Sequence, residues 1–308
     1  MYIGFDTSNY TTSVAAFDGQ RIIQYKKMLT VKSGEKGLRQ SEAVFQHTVN
    51  LPALVAQLPE EAVRAVGVSA RPRNAEGSYM PCFLVGKGVA AAYAKGAGAR
   101  LYTTSHQVGH ILAVLYSCDK LSLLQHPFLA LHLSGGTTEV LLVQPDAEAV
   151  LRAEKVAESL DLKAGQAIDR AGVMLGLPFP CGKALDALSL QATAEYKIKP
   201  SMKGCCCSLS GVENKAKKLL ETGESNENIA AFVLRSVCVS VDAMLQAVRE
   251  QYGDLPVVFS GGVSSNTMLR RQYEGAPAVY FAAPEYSLDN AAGCAVYAYL
   301  KEQELCRS

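Results

Sequence analysis

The strongest constraint on the fold is a strand–turn–strand pattern that occurs twice. Residues 3–19 (IGFDTSNYTTSVAAFDG) and 129–146 (LALHLSGGTTEVLLVQPD) each contain an apolar strand, a turn of small polar residues or glycine, a Thr-Thr pair and a second apolar strand. Turns of this composition direct backbone N–H groups and hydroxyls toward an anion such as phosphate. One hairpin per half predicts duplicated domains that face each other across a cleft. A chance likeness between two hairpins is the alternative.

The segments between and after the hairpins alternate between helical and strand patterns. Residues 41–59 have apolar side chains at helical spacing, 63–70 form a buried strand pattern, and 83–99 are an Ala-rich helix pattern. This alternation predicts an α/β fold with a mostly parallel sheet covered on both faces. Further helices are predicted at 105–117, 164–176, 183–194, 210–221, 226–251 and the final segment, and a strand that runs into a Gly-Gly turn is predicted at 255–266.

Composition excludes some classes of protein. The chain has 308 residues, 49% of them hydrophobic, which is enough for two domains. No apolar run approaches the roughly 18 residues of a membrane helix, and the first residues carry no signal-peptide pattern, so we expect a cytoplasmic protein without membrane contact. The nine cysteines lack paired metal-ligand spacing and are interpreted as reduced thiols. A net charge of +1 gives no global attraction to nucleic acid, although residues 197–218 are lysine-rich, either as a basic patch or as a solvated face.

Two histidines stand one helical turn apart. His106 and His110 lie on one face of the predicted helix, close enough to share a divalent metal. Gln107 occupies the position of the catalytic Glu in an H-E-x-x-H protease, which argues against peptide hydrolysis. Asp289 is the candidate third ligand. The alternatives are surface or core histidines, and an aspartate that only caps the last helix.

Six motifs occur in one order along the chain: His106-x-x-x-His110, Ser134-Gly135-Gly136, and segments 164–182, 208–212, 260–270 and 286–292. Together they resemble those of the TsaD family and its archaeal and eukaryotic relatives, the subunits that form threonylcarbamoyladenosine in tRNA. The resemblance implies a two-lobed actin-like ATPase (ASKHA) fold made of duplicated RNase H-like domains. Its lobes would be residues 1–120 and 121–290, with 291–308 as a helix that packs back on the first lobe.

The resemblance also implies ligands and partners. One divalent metal per subunit, iron or zinc, would be held by His106, His110 and Asp289. An adenine nucleotide would be substrate or product, as part of threonylcarbamoyl-AMP. Expected partners are tRNA, a TsaB-like actin-fold protein and a small TsaE-like ATPase, with a homodimer left open. The implied nucleotide-binding residues are His132, Leu133, Ser134, Gly135, Gly136, Asp169, Gly182, Asp186 and Asn266, and no catalytic residue is assigned.

Several positions near the expected cleft depart from the family pattern. An acidic pair in the first turn is replaced within Ser8-Asn9-Tyr10-Thr11-Thr12, a Gly-Pro-Gly loop is Arg71-Pro72-Arg73, and the His after Ser-Gly-Gly is Thr137. A Glu often found between the metal histidines is Val108. Arg71 and Arg73 are candidate contacts to an anion or to tRNA.

Three functions are therefore weighed. The first is a metal-dependent threonylcarbamoyl transferase acting on tRNA. The second is a diverged paralogue that binds nucleotide and metal but acts as a partner protein or on another acceptor. The third is a sugar- or acid-kinase of the same fold, against which the histidines argue because kinases hold Mg²⁺ with carboxylates and water.

Overall fold

The computed structural model describes residues 1–8, 10–31, 38–287 and 291–305. The chain divides into two compact units. The first consists of residues 1–125, 144–152 and 285–308, and the second of residues 126–143 and 153–284. The assignment of 144–152 to the first unit was not anticipated from the sequence.

A five-stranded sheet forms the centre of the first unit, in the order β3-β2-β1-β4-β5. Strand β1 pairs antiparallel with β2 and parallel with β4, and β4 pairs parallel with β5. The strands are β1 (Tyr2–Asp6), β2 (Thr11–Phe17), β3 (Ile22–Met28), β4 (Ala65–Arg71) and β5 (Arg100–Ser105).

The second unit contains a sheet of the same design. Its strand order is β12-β11-β6-β7-β8, with β6 antiparallel to β7 and parallel to β11, and β11 parallel to β12. A separate antiparallel ribbon pairs β9 with β10. The strands are β6 (Phe128–Leu133), β7 (Thr138–Asp146), β8 (Val150–Glu158), β9 (Ser201–Lys203), β10 (Cys206–Ser208), β11 (Val257–Ser260) and β12 (Val279–Phe281).

The two sheets repeat one topology: a first strand with a hairpin partner on one side and two parallel strands on the other. The predicted α/β fold built on a duplication is thus confirmed. The prediction of mostly parallel sheets was wrong, because the short turns after β1 and β6 can join only antiparallel strands. Each sheet is therefore mixed.

Nine helices are found in the described residues. The predicted helical segments all contain one, but several end early; the helix predicted over 83–99, for example, stops before Gly98, whose φ is +63°. The helices are α1 (Gln40–Val55), α2 (Phe83–Gly96), α3 (His106–Ser117), α4 (Ala164–Met174), α5 (Gly182–Ser189), α6 (Ser210–Glu221), α7 (Asn226–Tyr252), α8 (Thr267–Gln272) and α9 (Ala292–Leu305).

Helix α9 packs very closely on the first sheet. A Cβ at Gly4 of β1 would meet the backbone of Ala291 and Ala295, and one at Gly67 of β4 would meet the carbonyl of Cys294. Helices α1 and α2 contact the same sheet through a separate apolar core that includes Phe5, Val14 and Val68. The absence of side chains at the two glycines lets the helix backbone reach the strands.

Helix α7 is the one described helix that is long and apolar enough to cross a membrane. A stretch of 18 residues within it has a mean hydropathy of 1.6. The sequence analysis did not anticipate a segment of this kind. However, 78% of that stretch is buried inside the protein, where residues such as Val233, Val237 and Leu245 join the core of the second unit. A core helix that is buried in a water-soluble protein can have the same length and hydropathy as a membrane-spanning helix.

Candidate functional site

Helix α3 places the two histidines side by side. The Ser105 side chain caps the helix by accepting the N–H of Val108 at 3.3 Å, which makes His106 the first helical residue. The rings of His106 and His110 lie 4.3 Å apart between centroids at an interplanar angle of 80°. Val108 lies between the two histidines in the sequence but on the opposite side of the helix. It is buried there, which explains why this residue is apolar.

The turn after β1 contacts the first of these histidines. The Asp6 carboxylate lies 2.8 Å from His106 Nδ1 through Oδ2, and its Oδ1 accepts the N–H of Ser8 at 2.7 Å. The Ser8 hydroxyl is also 2.8 Å from His106 Nδ1. Asp6 and Ser8 are buried, with 1% and 0% exposure.

The histidine pair fits part of a metal site. A carboxylate on one ring nitrogen is the usual partner of a metal-binding imidazole, and in His106 the Asp6 contact at Nδ1 leaves Nε2 as the nitrogen that could bind a metal. Asp289, the predicted third ligand, lies outside the described residues, and so does Asn9. Within the described ranges, no group of three or more His, Cys, Asp or Glu side chains is placed to hold a metal ion.

The loop that carries the candidate anion contacts joins the start of α3. The Pro72 carbonyl accepts the N–H of Gln107 at 3.0 Å. Arg71 and Arg73, on either side, are exposed; Arg71 Nε donates to Asn74 at 3.2 Å, and the Arg73 N–H donates to the Ser78 hydroxyl at 3.0 Å. The two arginines thus stand on a loop tethered beside His106.

In the second unit, the turn after β6 folds on its own backbone. The N–H of Ser134 donates to the Thr137 carbonyl at 2.7 Å, while its hydroxyl accepts the N–H groups of Gly136 at 3.3 Å and Thr137 at 3.0 Å. Around Gly135 and Gly136 there is open space where a Cβ would be. Thr137, which departs from the family pattern, is therefore part of the turn's own hydrogen bonding.

Two glycines outside this turn pack against the backbone of the turn and of the residue before it. A Cβ on Gly165 of α4 would come within 2.6 Å of Gly135 N and 2.8 Å of Ser134 C, and its N–H donates to the Ser134 carbonyl at 3.1 Å. Gly261, with φ +87°, presses on the backbone of Leu133. The predicted phosphate loop is thus fixed by backbone-to-backbone contacts that any side chain would prevent.

Two of the residues expected to bind ribose and adenine are hydrogen-bonded to each other. Asn266 Nδ2 donates to Asp186 Oδ1 at 2.8 Å. Thr267 donates its N–H at 3.1 Å and its hydroxyl at 2.7 Å to Asp186 Oδ2. Asn266 also caps α8 by accepting the N–H of Leu269 at 3.0 Å. Asp186 and Asn266 therefore form one polar cluster, in which Thr267 is a third member.

The other predicted nucleotide positions lie on adjoining elements of the second unit. Asp169 on α4 accepts the N–H of Cys181 at 2.8 Å, just before Gly182 begins α5. Burial, and secondarily the charge of Asp169, raises the pKa of the Cys181 thiol. His132 on β6 has its Nδ1 3.1 Å from the Ser260 hydroxyl, which donates to the Leu131 carbonyl. His132 Nδ1 and the Leu131 carbonyl thus both lie within hydrogen-bonding distance of the Ser260 hydroxyl.

Sequence reasoning missed Asp6, Ser8, Gly165, Gly261 and Thr267. The family's acidic pair is absent from the first turn, but an acid, Asp6, is present four residues before Tyr10, the position of the first acid of the pair. A signal existed for Asp6 and Ser8, since polar residues at the carboxyl end of a buried strand are common ligand-site positions in α/β folds. The close approaches at Gly165 and Gly261 depend on tertiary packing and have no local signal.

Comparison with known proteins assigns the family. The model of the TsaD family, described as tRNA N6-adenosine threonylcarbamoyltransferase, matches residues 22–296. The chain belongs to this family. A TsaD relative of the same description from Enterococcus faecalis is 28% identical, over 99% of this chain and 91% of its own. Another from Chloroherpeton thalassium is 32% identical, over 64% of this chain and 62% of its own. The prediction of a transferase of this class is confirmed.

Similarity to solved structures shows only the fold class of this chain, because the sequence identities are low. HypF of T. kodakarensis gives a TM-score of 0.63 at 13% identity, over 99% of this chain and 48% of its own. The Acidaminococcus fermentans (R)-2-hydroxyglutaryl-CoA dehydratase component A gives 0.56 at 16% identity, with 98% of both chains covered. A ROK glucokinase of Streptomyces griseus gives 0.52 at 14%, over 98% of this chain and 99% of its own. The actin-like ASKHA fold is confirmed; the family match favours acyl transfer over the kinase alternative.

Proposed function

We propose that this chain transfers the threonylcarbamoyl group from threonylcarbamoyl-AMP to the adenosine next to the anticodon of tRNA, with a divalent metal, iron or zinc, bound at His106 and His110. The observation that carries the proposal is membership of the TsaD family over residues 22–296. The contact between the two imidazole rings and the carboxylate behind His106 support the metal. The three family ligands would be His106, His110 and Asp289.

The reaction is an acyl transfer. The exocyclic amine of adenosine attacks the carbamoyl carbon, the bond from that carbon to the AMP phosphate oxygen breaks, AMP leaves with the electron pair, and the amine loses one proton. When bound, the metal supplies Lewis-acid polarisation of the donor. The N–H groups of the Gly135–Gly136 turn would bind the AMP phosphate, and Asp186 with Asn266 would bind the nucleoside. No described residue is assigned as the base.

The proposed partners are tRNA, a TsaB-like actin-fold protein and a small TsaE-like ATPase. The test is reconstitution: purified chain, these partners, threonylcarbamoyl-AMP and unmodified tRNA, followed by nucleoside analysis of the tRNA by mass spectrometry. Threonylcarbamoyladenosine formed only in the presence of the chain supports the proposal. Unmodified tRNA, with metal content and nucleotide binding verified, would favour the diverged paralogue.

Metal binding is tested separately. Purified protein should carry close to one equivalent of iron or zinc by elemental analysis, and His110→Ala should lose most of it, because two remaining ligands hold a divalent ion weakly. His126→Ala is the matched control, since this histidine lies outside α3 and belongs to the second unit. Full metal retention in His110→Ala would refute the site.

The Arg71 loop separates the transferase from the paralogue. An exposed guanidinium on the segment that contacts the start of α3 can bind a phosphate of tRNA or donor, which a glycine cannot. Arg71→Gly should weaken tRNA modification most at low salt, and the loss should shrink as salt is raised, because each phosphate contact that the wild type makes adds to its salt sensitivity through counterion release. Lys95→Gly, at the last turn of α2, controls for loss of one exposed charge. Equal activity of Arg71→Gly and wild type at every salt concentration would remove this loop from the site.

A further inference from the structure

Asp6 is a buried acid to which neither the family resemblance nor the sequence analysis gave a role. It ends β1, in register with Ser13 of β2, and 1% of it is exposed. Both of its carboxylate oxygens are engaged: Oδ1 by the N–H of Ser8 at 2.7 Å and Oδ2 by His106 Nδ1 at 2.8 Å. A carboxylate held at both oxygens in a dry environment has a fixed direction, so its partner imidazole is fixed as well.

The charge of this acid determines which ring nitrogen of His106 carries the proton. An ionised carboxylate only accepts hydrogen bonds, so a neutral imidazole that contacts it through Nδ1 must be protonated at Nδ1. The lone pair then lies on Nε2. The Ser8 hydroxyl oxygen lies 2.8 Å from Nδ1 and 3.5 Å from Nε2, so it is off the axis of the Nδ1–H bond, and Ser8 assists through its backbone N–H, which holds Asp6 Oδ1.

We propose that Asp6, assisted by Ser8, is the positioning residue of the metal site: it holds His106 in the Nδ1-protonated form and in the orientation in which Nε2 binds the divalent ion. This inference rests on the proposed function, because it requires that His106 be a metal ligand. The first hairpin of this chain lacks the family's acidic pair. On this inference, Asp6 gives the hairpin a chemical role. Asp6 acts through His106 and does not contact substrate.

The inference is tested by metal affinity. Apo protein is titrated with Zn²⁺ against a competing chelator, and with Co²⁺ while the visible ligand-field bands are recorded. Removal of a carboxylate behind a metal-binding His lowers affinity about 10–100-fold. Asp6→Ala should reach the upper end of that range and Asp6→Asn, which still accepts the Nδ1 proton, the lower end. Asp18→Asn is the control, since Asp18 follows β2 and its Oδ1 accepts the turn N–H groups of Gln20 and Arg21.

A second measurement does not depend on bound metal. The ¹⁵N chemical shifts of the His106 ring in the apo protein report its protonated nitrogen, which should be Nδ1 in the wild type and a mixture of Nδ1 and Nε2 in Asp6→Ala. If Asp6→Ala fails to fold, the wild-type spectrum and the loss of metal affinity in Asp6→Asn decide. An Nε2-protonated ring in the wild type, or metal affinity of Asp6→Ala equal to that of Asp18→Asn, would overturn the inference.

The two proposals fail in different ways. His106→Ala with undiminished metal affinity would remove the metal assignment itself. Loss of metal in His106→Ala together with unchanged affinity in Asp6→Ala would leave the metal site standing and refute only the role of Asp6.

Discussion

The two hairpin turns occupy equivalent places in their sheets but are secured differently. The turn after β1 is secured by side chains: Asp6 and Ser8 contact His106, and the Thr7 hydroxyl donates to the Cys82 carbonyl at 2.8 Å and accepts the Gly86 N–H at 3.0 Å. The turn after β6 is secured through its backbone, which α4 and Gly261 approach directly. One duplicated frame thus presents functional side chains in the first unit and backbone N–H groups in the second. Substitutions should affect the two turns differently.

The largest effect is expected from Gly261→Ala. The new Cβ would overlap the Leu133 backbone, and φ +87° disfavours any L side chain. Overpacking typically costs about 1–3 kcal/mol and a left-handed conformation about 1 kcal/mol, so we expect a loss of about 3 kcal/mol in the free energy of unfolding by urea. Gly253→Ala, with φ +92° and ψ 172° against +87° and 159° at Gly261 and with open space around it, isolates the conformational part. Equal losses in both variants would show that the contact with Leu133 is unimportant.

Gly165→Ala compares the turns directly. Its Cβ would collide with the Gly135 backbone, whereas the Cβ of Gly86→Ala would meet the Thr7 side chain, which can rotate at the expense of its hydrogen bonds. We expect about 2 kcal/mol for Gly165→Ala and about 1 kcal/mol for Gly86→Ala. Gly211→Ala in α6, with open space around it, is the helical control. AMP affinity should fall with Gly165→Ala and stay unchanged with Gly86→Ala; the reverse order would contradict the comparison.

Gly135→Val separates ligand binding from folding. Because the space around Gly135 is open, the variant should unfold at the wild-type urea concentration. A bulky side chain at the turn should nevertheless keep a phosphate from the N–H groups and lower AMP affinity by about tenfold, or 1.4 kcal/mol, in calorimetry. Ser134→Ala should lower affinity less but reduce stability, because its hydroxyl accepts two turn N–H groups. Unchanged affinity in Gly135→Val would remove the turn from the nucleotide site.

The smallest effect is expected at Asp161, which lies just before α4 and accepts hydrogen bonds from residues at the start of α6. Burial by itself would raise the pKa of Asp161, but hydrogen bonds from the Ser210 hydroxyl and the N–H of Leu209 outweigh burial, and the pKa lies below its ordinary value. Its stabilising effect is therefore present above the unfolded pKa of about 3.9 and is lost as the pH falls through the folded pKa. Asp161→Asn should be less stable than wild type at pH 7, and the difference should shrink below about pH 4. A constant difference would show that the charge plays no part.

Much of the frame could be predicted from the sequence because its signals are local. The Thr-Thr hairpins and the helical spacing of His106 and His110 are each encoded within a few residues, and the structure contains both. The parallel or antiparallel direction of neighbouring strands was predicted less well, since β4 and β11 join their sheets across long stretches of chain. The contacts of Asp6 with His106, and of Gly165 with Gly135, join residues far apart in sequence and have no periodicity.

The close packing of α9 on β1 and β4 has a consequence for synthesis of the chain. The glycine-lined face of the first sheet is complete only when residues 291–305 arrive, 166 residues after the end of the first continuous segment at residue 125. At the ribosome's pace of about 5–20 residues per second, the strands made first wait roughly 10–30 s for their cover. During that interval the nascent first unit exposes an apolar sheet face to chaperones.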